Sequence, residues 1–453
     1  MGASSSRASV PVIVRAAARC AAPLAVVLGV ACGVAASADP RASGTGALAA
    51  PATQHEPLPP PIVFFVAKGD ANACGPGCSE WIAAEGTIDI GADARLRLLL
   101  KKLGARKLPI YFESPGGAIP AGLAIGRIMR QHGLTAGVGR TVPVGCDPKA
   151  VYAAACDKLK RSGRELLADL DTSSAICNSA CVFSLVGATV REVGPGAKLG
   201  IHSASVTFSL RRVDAKGHVV ATTPTHVAAA VERRALAGNY DRIAAYMHEM
   251  GISPTLLEAA RKIPSSSVRY LSRDEVVAFG IDPRESIEGL WLFLDQPSGA
   301  VAVKVMQWRE PAAGTFRRAI LRMSCVGADT VRFQFAREVG ADKASLPGRF
   351  RVKAGPIDRS LGWPVMTKAT SDWLPLQVRA ADLPISVLGE PTLVIEQVIE
   401  QATPPSTLPE AAAINPSAAT EVTVQNIGSG LSTLAHRCAA PPAPHQSSAI
   451  EHI

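Results

Sequence analysis

Ser179 stands in the stretch Ile176-Cys177-Asn178-Ser179-Ala180-Cys181-Val182-Phe183, between small residues where a helix begins. That helix continues along an apolar face of Val182, Phe183 and Val186 to Gly187. At an open helix start a serine hydroxyl and the next backbone N–H meet partial positive charge, which helps a nucleophile and an oxyanion alike. His202, in Leu199-Gly200-Ile201-His202-Ser203, lies on a short apolar strand after a Gly-Pro-Gly turn and can come back beside that helix start. Upstream, the strand Pro109–Glu113 runs into the turn Ser114-Pro115-Gly116-Gly117 and then a helix. Exposed N–H groups at such a turn form the second half of an oxyanion hole. The three pieces read as a serine hydrolase site.

The elements that must position these residues alternate between strand and helix, which indicates an α/β domain. Ile62–Ala67 is a short apolar strand, and Gly86–Ile90 is strand-like. Asp93–Leu103 has helical spacing with Asp93 as N-cap; Leu96, Leu99, Leu100 and Leu103 share one face. A helix opens at Pro120, a good first-turn position, and Leu134–Val138 is the next strand. Arg140–Thr172 carries Cys146, Cys156 and a charged helix, and reads as an insertion ahead of Ser179. A long helix spans about His226–Met250, a shorter one Pro254–Lys262, and Ser272 with Glu275 forms a capping box. From Gly289 the texture changes to short strands: Leu290–Leu294, Ala300–Met306, Ala319–Met323, Val331–Phe335, Phe350–Val352, Leu376–Val378 and Thr392–Ile395. A final helix near Leu431–Cys438 is placed to tie to Cys325 through a disulfide.

The chain of 453 residues is long enough for two domains, and its composition is that of a globular protein. Basic residues, an apolar run Ala21–Val34 and Ala36-Ser37-Ala38 form a targeting segment with an A-x-A cleavage pattern, so export to the periplasm is expected. Left uncleaved, that run would anchor the protein in the membrane. Cleavage removes Arg7, Arg15 and Arg19 and takes the formal charge from +9 to +6, spread without a basic block, which gives no support for nucleic-acid binding. Cys20 and Cys32 leave with the segment. The other eight cysteines, an even number in an oxidising compartment, point to disulfides rather than to a four-thiolate zinc site from Cys74, Cys78, Cys177 and Cys181. A bond between Cys177 and Cys181 along one helical turn would be strained, so each is expected to pair elsewhere. His218, His226 and His248 lack ligand-like spacing with acidic partners; no metal and no cofactor is expected. The resulting organisation is a signal peptide (1–38), a Pro/Ala-rich leader (39–60), an α/β domain (61–288), a β-rich domain (289–441) and a tail (442–453).

At Ser114-Pro115-Gly116-Gly117, Ser179-Ala180 and Gly200-Ile201-His202 the sequence resembles the Clp-protease proteolytic-subunit group of the crotonase-like superfamily, in its exported branch. The resemblance spans about residues 61–285 and rests on the order of the pieces, closing with Tyr270-Leu271-Ser272 and Phe279-Gly280-Ile281-Asp282. It implies an α/β fold with a Clp-protease/crotonase-like core of repeated strand–helix units, followed by a smaller β-rich domain that it does not cover. It further implies Ser179 as nucleophile, His202 as general base and the amides of Gly117 (or Gly116) and Ala180 as oxyanion hole. The partners implied are a peptide or protein substrate and further copies of the chain. The family's third residue, an aspartate, falls here on Val268, which cannot orient an imidazole; Ser266, Ser267 and Asp274 are nearby substitutes.

Each residue also has a plainer reading. Ser179 alone is a helix cap, His202 alone a core histidine, and Gly116-Gly117 alone a turn. Lys198 lies four residues before His202, roughly 13 Å along an extended strand, and reads as a solvent-facing lysine rather than a partner of Ser179. Three functions are in play: an exported serine peptidase, a non-catalytic binding or scaffold protein, and an acyl-transfer relative of the crotonase-like type.

Overall fold

The structure is a computed structural model that describes residues 59–148, 150–214, 219–296, 299–309, 314–339, 349–362, 365–367, 376–390, 392–398, 421–425, 434–436 and 438. The targeting segment, most of the leader, His218 and the tail lie outside the described residues. In chain order the first elements are β1 (Val63–Lys68), β2 (Glu80–Glu85), α1 (Ala92–Leu103), β3 (Ile110–Glu113), α2 (Ile119–His132) and β4 (Thr135–Val138). The insertion supplies β5 (Arg140–Pro143), α3 (Ala154–Lys160) and β6 (Leu166–Asp171). Then come β7 (Ile176–Asn178), α4 (Ala180–Val186), β8 (Val190–Glu192) and β9 (Lys198–Ile201). A hairpin of β10 (Phe208–Val213) and β11 (Val219–Thr225) leads to α5 (Ala229–Met250), α6 (Thr255–Arg261), β12 (Arg269–Tyr270) and α7 (Arg273–Ala278).

Two sheets organise this part. The larger has the order β5-β6-β1-β2-β3-β4-β8, in which β2, β3, β4 and β8 run parallel. Parallel neighbours need crossovers, and α1 and α2 provide two of them. The smaller sheet is β12-β9-β7, with β7 and β9 parallel and β12 antiparallel to β9. Leu96, Ile110, Phe112, Ile125, Ile128, Met129 and Tyr246 form the centre of one core between the sheets and the helices. Within it α2 and α4 meet backbone to backbone: a Cβ on Gly187 would lie 2.2 Å from Gly126 Cα, and one on Gly122 only 2.6 Å from Ala180 O. Any larger residue at these places would push α4 off α2.

From Ser286 onward the described elements are almost all strands. They are β13 (Ser286–Glu288), β14 (Leu292–Gln296), β15 (Gly299–Arg309), β16 (Phe316–Cys325), β17 (Thr330–Glu338), β18 (Arg349–Ala354), β19 (Ile357–Ser360), β20 (Val365–Met366), β21 (Leu376–Pro384), β22 (Thr392–Val398) and β23 (Glu421–Gln425). They form one sheet of seven strands and one of four, packed around Met306, Leu321, Phe333, Phe350, Val352 and Ile395. Leu434, Ala435, His436 and Cys438 are helical, and Cys438 is bonded to Cys325. The chain is thus a mixed α/β protein with several sheets.

Three local expectations need correction. The strand is Glu80–Glu85 rather than Gly86–Ile90, where Thr87 and Ile88 make only isolated bridges, because Gly86 at φ 112° breaks the extended run. Helix α1 is preceded by Gly91, and Asp93 sits in its first turn without capping it. Cys177 and Cys181 are bonded to each other, with Cα atoms 5.2 Å apart. Cys177 is still in β7 when Cys181 enters α4, so the pair does not span a helical turn. Ser272 and Glu275 do form the capping box at the start of α7.

The end of α7 is fixed by Asp282, which is fully buried. It accepts from Arg284 Nη2 at 2.7 Å, Arg273 Nη1 at 3.1 Å and the Val193 N–H at 2.9 Å. Burial alone would raise its carboxyl, but the two guanidiniums and the backbone donor hold it down at about 2, against 3.8 ordinarily. A depressed pKa stabilises the fold above the unfolded value and ceases to do so as pH falls through the folded one. About 1–2 kcal/mol of stability should therefore be lost between roughly pH 5 and pH 2.5 through this group. Urea denaturation across that range should show a shallower acid slope in Asp282→Asn than in the wild type.

Candidate active site

Strand β3 ends at Glu113, and the following Ser114 is buried and bonded on three sides. Its N–H donates to Ile176 O at 2.9 Å, its carbonyl accepts the Asn178 N–H at 3.0 Å, and its Oγ accepts the Gly116 N–H at 3.1 Å. The turn is thereby stitched to β7 just ahead of Ser179. Glu113 adds a further tie: Oε2 accepts the Ile176 N–H at 2.8 Å and Oε1 accepts Arg140 Nη2 at 2.9 Å. Burial pushes the Glu113 carboxyl up, against the pull of Arg140 and the Ile176 N–H.

Gly116 and Gly117 have φ of 97° and 140°. A Cβ on Gly116 would lie 2.5 Å from Asn178 O, 2.8 Å from Ser179 Cβ and 3.1 Å from Ala180 N, so this glycine is in direct contact with the strand–helix junction. Its carbonyl accepts the Ile88 N–H at 2.7 Å. In a trans peptide the Gly117 N–H then points the other way, away from Ile88. Of the two glycine amides named for the oxyanion hole, Gly116 is already donating to Ser114 Oγ, which leaves Gly117.

Ser179 has φ 55° and ψ −119° and makes no side-chain cap bond to α4. An ordinary N-cap sits in the β region with its hydroxyl accepting from the first turn, as Ser272 does at φ −71° and ψ 163°. Ser179 is one of two described non-glycine residues at positive φ, the other being Asn72 in the Cys74–Cys78 loop region. Its N–H donates to Gly200 O at 2.8 Å, continuing the β7–β9 pairing in which Asn178 lies opposite Gly200. Ser179 and His202 therefore leave the same ends of two paired parallel strands, roughly 4.8 Å apart in the pairing direction. Both are half-buried.

His202 Nδ1 lies 2.8 Å from the Ser203 carbonyl oxygen. A carbonyl only accepts, so Nδ1 is the donor, and in the neutral ring Nε2 then keeps its lone pair. The Ser203 N–H in turn donates to Ile263 O at 2.8 Å, holding this peptide in place. That is the tautomer of a general base, set by a backbone atom that no sequence motif encodes.

The β9–β12 register pairs Arg269 with Ile201 and Tyr270 with Gly200; one step beyond these pairs, that register extended would set Val268 across from His202. The position expected to hold the third polar group is a valine, whose Cγ1 lies 2.5 Å from where a Cβ on Gly200 would stand. Two of the three nearby alternatives are committed elsewhere: Ser267 Oγ donates to Pro264 O at 3.2 Å, and Asp274 accepts from Arg309 Nη1 at 2.9 Å. Lys198 is exposed, with Nζ 5.7 Å from the centre of the Tyr270 ring. Among the described residues no group of three or more His, Cys, Asp or Glu is placed to hold a metal ion. An open groove beside the Cys74–Cys78 loop, lined by Tyr111 and Glu192 among others, includes none of Ser179, His202, Gly116 or Gly117.

No protein-family model matches the chain, and no curated protein does. Among solved structures, a point mutant of ClpP1 from Listeria monocytogenes matches with 17% sequence identity over 42% of this chain and 79% of that one, at a TM-score of 0.25.

The contact between Gly116 and the Ser179 junction gives a direct test. Because the atoms a Cβ would meet are backbone and a neighbouring Cβ, Gly116→Ala has no flexible side chain to displace and should cost about 1–3 kcal/mol by urea denaturation. Gly133→Ala, at φ 62° with nothing within 4 Å, should cost only about 1 kcal/mol for the left-handed backbone.

Proposed function

We propose that the chain is an exported serine peptidase-like hydrolase with a Clp-protease-like core. The observation that carries this reading is Ser179 itself: a left-handed, uncapped serine between β7 and α4, beside a histidine whose Nε2 is free to accept a proton. Strained non-glycine residues of this kind gather at functional sites. In the proposed reaction His202 Nε2 takes the Ser179 hydroxyl proton as Oγ bonds to the substrate carbonyl carbon, and the carbonyl π pair moves onto oxygen. The N–H groups of Gly117 and Ala180 hold that oxyanion. His202 then gives its proton to the leaving amine as the C–N bond breaks; water, deprotonated by the same imidazole, bonds to the acyl carbon, and the proton passes to Oγ as the ester C–O bond breaks.

The substrate class in this reading is peptide or protein, the place of action is the periplasm, and several copies of the chain assemble. The four disulfides, Cys74–Cys78, Cys146–Cys156, Cys177–Cys181 and Cys325–Cys438, are consistent with an oxidising compartment. Among the described residues no helix is long and apolar enough to cross a membrane. A second reading, a binding or scaffold protein that keeps the fold without the chemistry, is favoured by one observation, the valine at position 268.

Fluorophosphonate labelling separates the two. The serine oxygen displaces fluoride from phosphorus, so only an activated serine reacts. The oxidised protein should be labelled at Ser179, as located by peptide mass, and labelling should vanish in both Ser179→Ala and His202→Ala. A folded, disulfide-intact wild type that takes up no label would leave the scaffold reading in its place.

A further inference from the structure

Resting on the serine reading, we propose that Asn178 is the positioning residue for His202, taking the place of the acidic group absent at Val268. Asn178 is 6% exposed, and its Oδ1 has no hydrogen-bond partner. A buried amide oxygen left unpaired destabilises a fold, so its presence beside the candidate nucleophile calls for a reason.

The register supplies one. Side chains alternate along a strand, so Gly200 and His202 share one face of the small sheet. Asn178 lies opposite Gly200 on β7, and the β9–β12 register, extended one step past Arg269 and Ile201, sets Val268 across from His202. Gly200 has no side chain, and the space above it is filled from both sides. A Cβ there would lie 2.3 Å from Asn178 Oδ1 and 2.5 Å from Val268 Cγ1, so those two atoms are within about 5 Å of each other. Asn178 Oδ1 therefore sits next to the point where a carboxylate at position 268 would begin.

An amide oxygen can accept an imidazole N–H and orient the ring, as the asparagine of Cys-His-Asn sites does, although it does not neutralise an imidazolium. In the structure the Nδ1 proton goes to the Ser203 carbonyl. That carbonyl sets the tautomer, but it belongs to the chain leaving β9 and does not follow the ring. When His202 turns Nε2 toward Ser179, the Nδ1–H passes from the Ser203 carbonyl to Asn178 Oδ1. A plain packing role, filling the gap over Gly200, needs no polar atom at this position.

The test is the rate of fluorophosphonate labelling in the full oxidised chain, with melting temperature measured alongside. Asn178→Ala should slow labelling at least about tenfold without lowering the melting temperature, and Val268→Asp added to it should restore most of the rate. Labelling of Asn178→Ala at the wild-type rate would overturn the proposal, and so would a slowed Asn178→Ala that Val268→Asp fails to rescue. Should Asn178→Ala not fold, Val268→Asp alone decides: little change fits a third place already filled, whereas a gain of tenfold or more means that it was empty. A wild type and Val268→Asp that both take up no label remove the serine reading itself, and this proposal with it.

Discussion

A left-handed conformation at a non-glycine residue costs about 1–3 kcal/mol and persists only where its surroundings enforce it. At Ser179 they do so from every side. The residue before it is paired in β7 to β9, and its own N–H is held by Gly200 O. The residues at either end of Cys177–Cys181 are joined by a disulfide, which closes a ring of five residues with Ser179 at its centre. Against the outside of that ring lies Gly116, with no room for a Cβ. These features converge on one residue, and together they hold it out of the N-cap conformation that an unconstrained helix start would adopt.

The same economy of space governs what lies behind the junction. Helix α4 is short and almost wholly buried, and close backbone approach adds to its apolar packing. Gly122, Gly126 and Gly187 bring α2 and α4 together at backbone distance, and Tyr246 from α5 donates to Phe183 O at 2.7 Å across the gap. Small residues at these positions cost little where the helices are buried, and they let Ala180 sit directly against α2. The placing of Ala180 beside Ser179 thus depends on positions that show no chemistry of their own.

This division explains what was legible in the sequence. The order strand, glycine turn, helix, serine, histidine strand and long helix was visible because each piece has a local signature: period, cap or turn residue. Ser179, His202 and the Gly116-Gly117 turn could be named on that basis, and the structure brings them to adjoining strand ends. The pairing of Cys177 with Cys181 was not legible, because it depends on the chain still being in β7 at Cys177 and entering α4 only at Ala180, a boundary that sequence places only to within a residue or two. Nor could the Ser203 carbonyl be read, since every residue has one. The place of Asn178 over Gly200 follows from cross-strand register, which is set by pairing between segments more than twenty residues apart.

The insertion at 140–172 shows how deeply such long-range terms reach. Read from sequence it is an addition ahead of the site, yet two buried carboxylates depend on it. Glu113, at the end of β3, is met by Arg140 of β5. Glu85, at the end of β2, pairs with Lys160 of α3 and accepts the Thr141 N–H at 2.5 Å; both members of that ion pair are almost wholly buried. Burial pushes the Glu85 carboxyl up, and the ammonium and the backbone donor oppose it. Taking away one partner of such a pair costs about 3–5 kcal/mol, because the remaining charge is left without solvent or counter-ion. The ends of β2 and β3 are also where the chain turns toward Ile88 and Ser114-Pro115-Gly116-Gly117, the two segments that pair at Gly117. A version of this chain lacking the insertion would strand both glutamates beneath that turn, so the segment is part of the scaffold of the site and not an ornament on it.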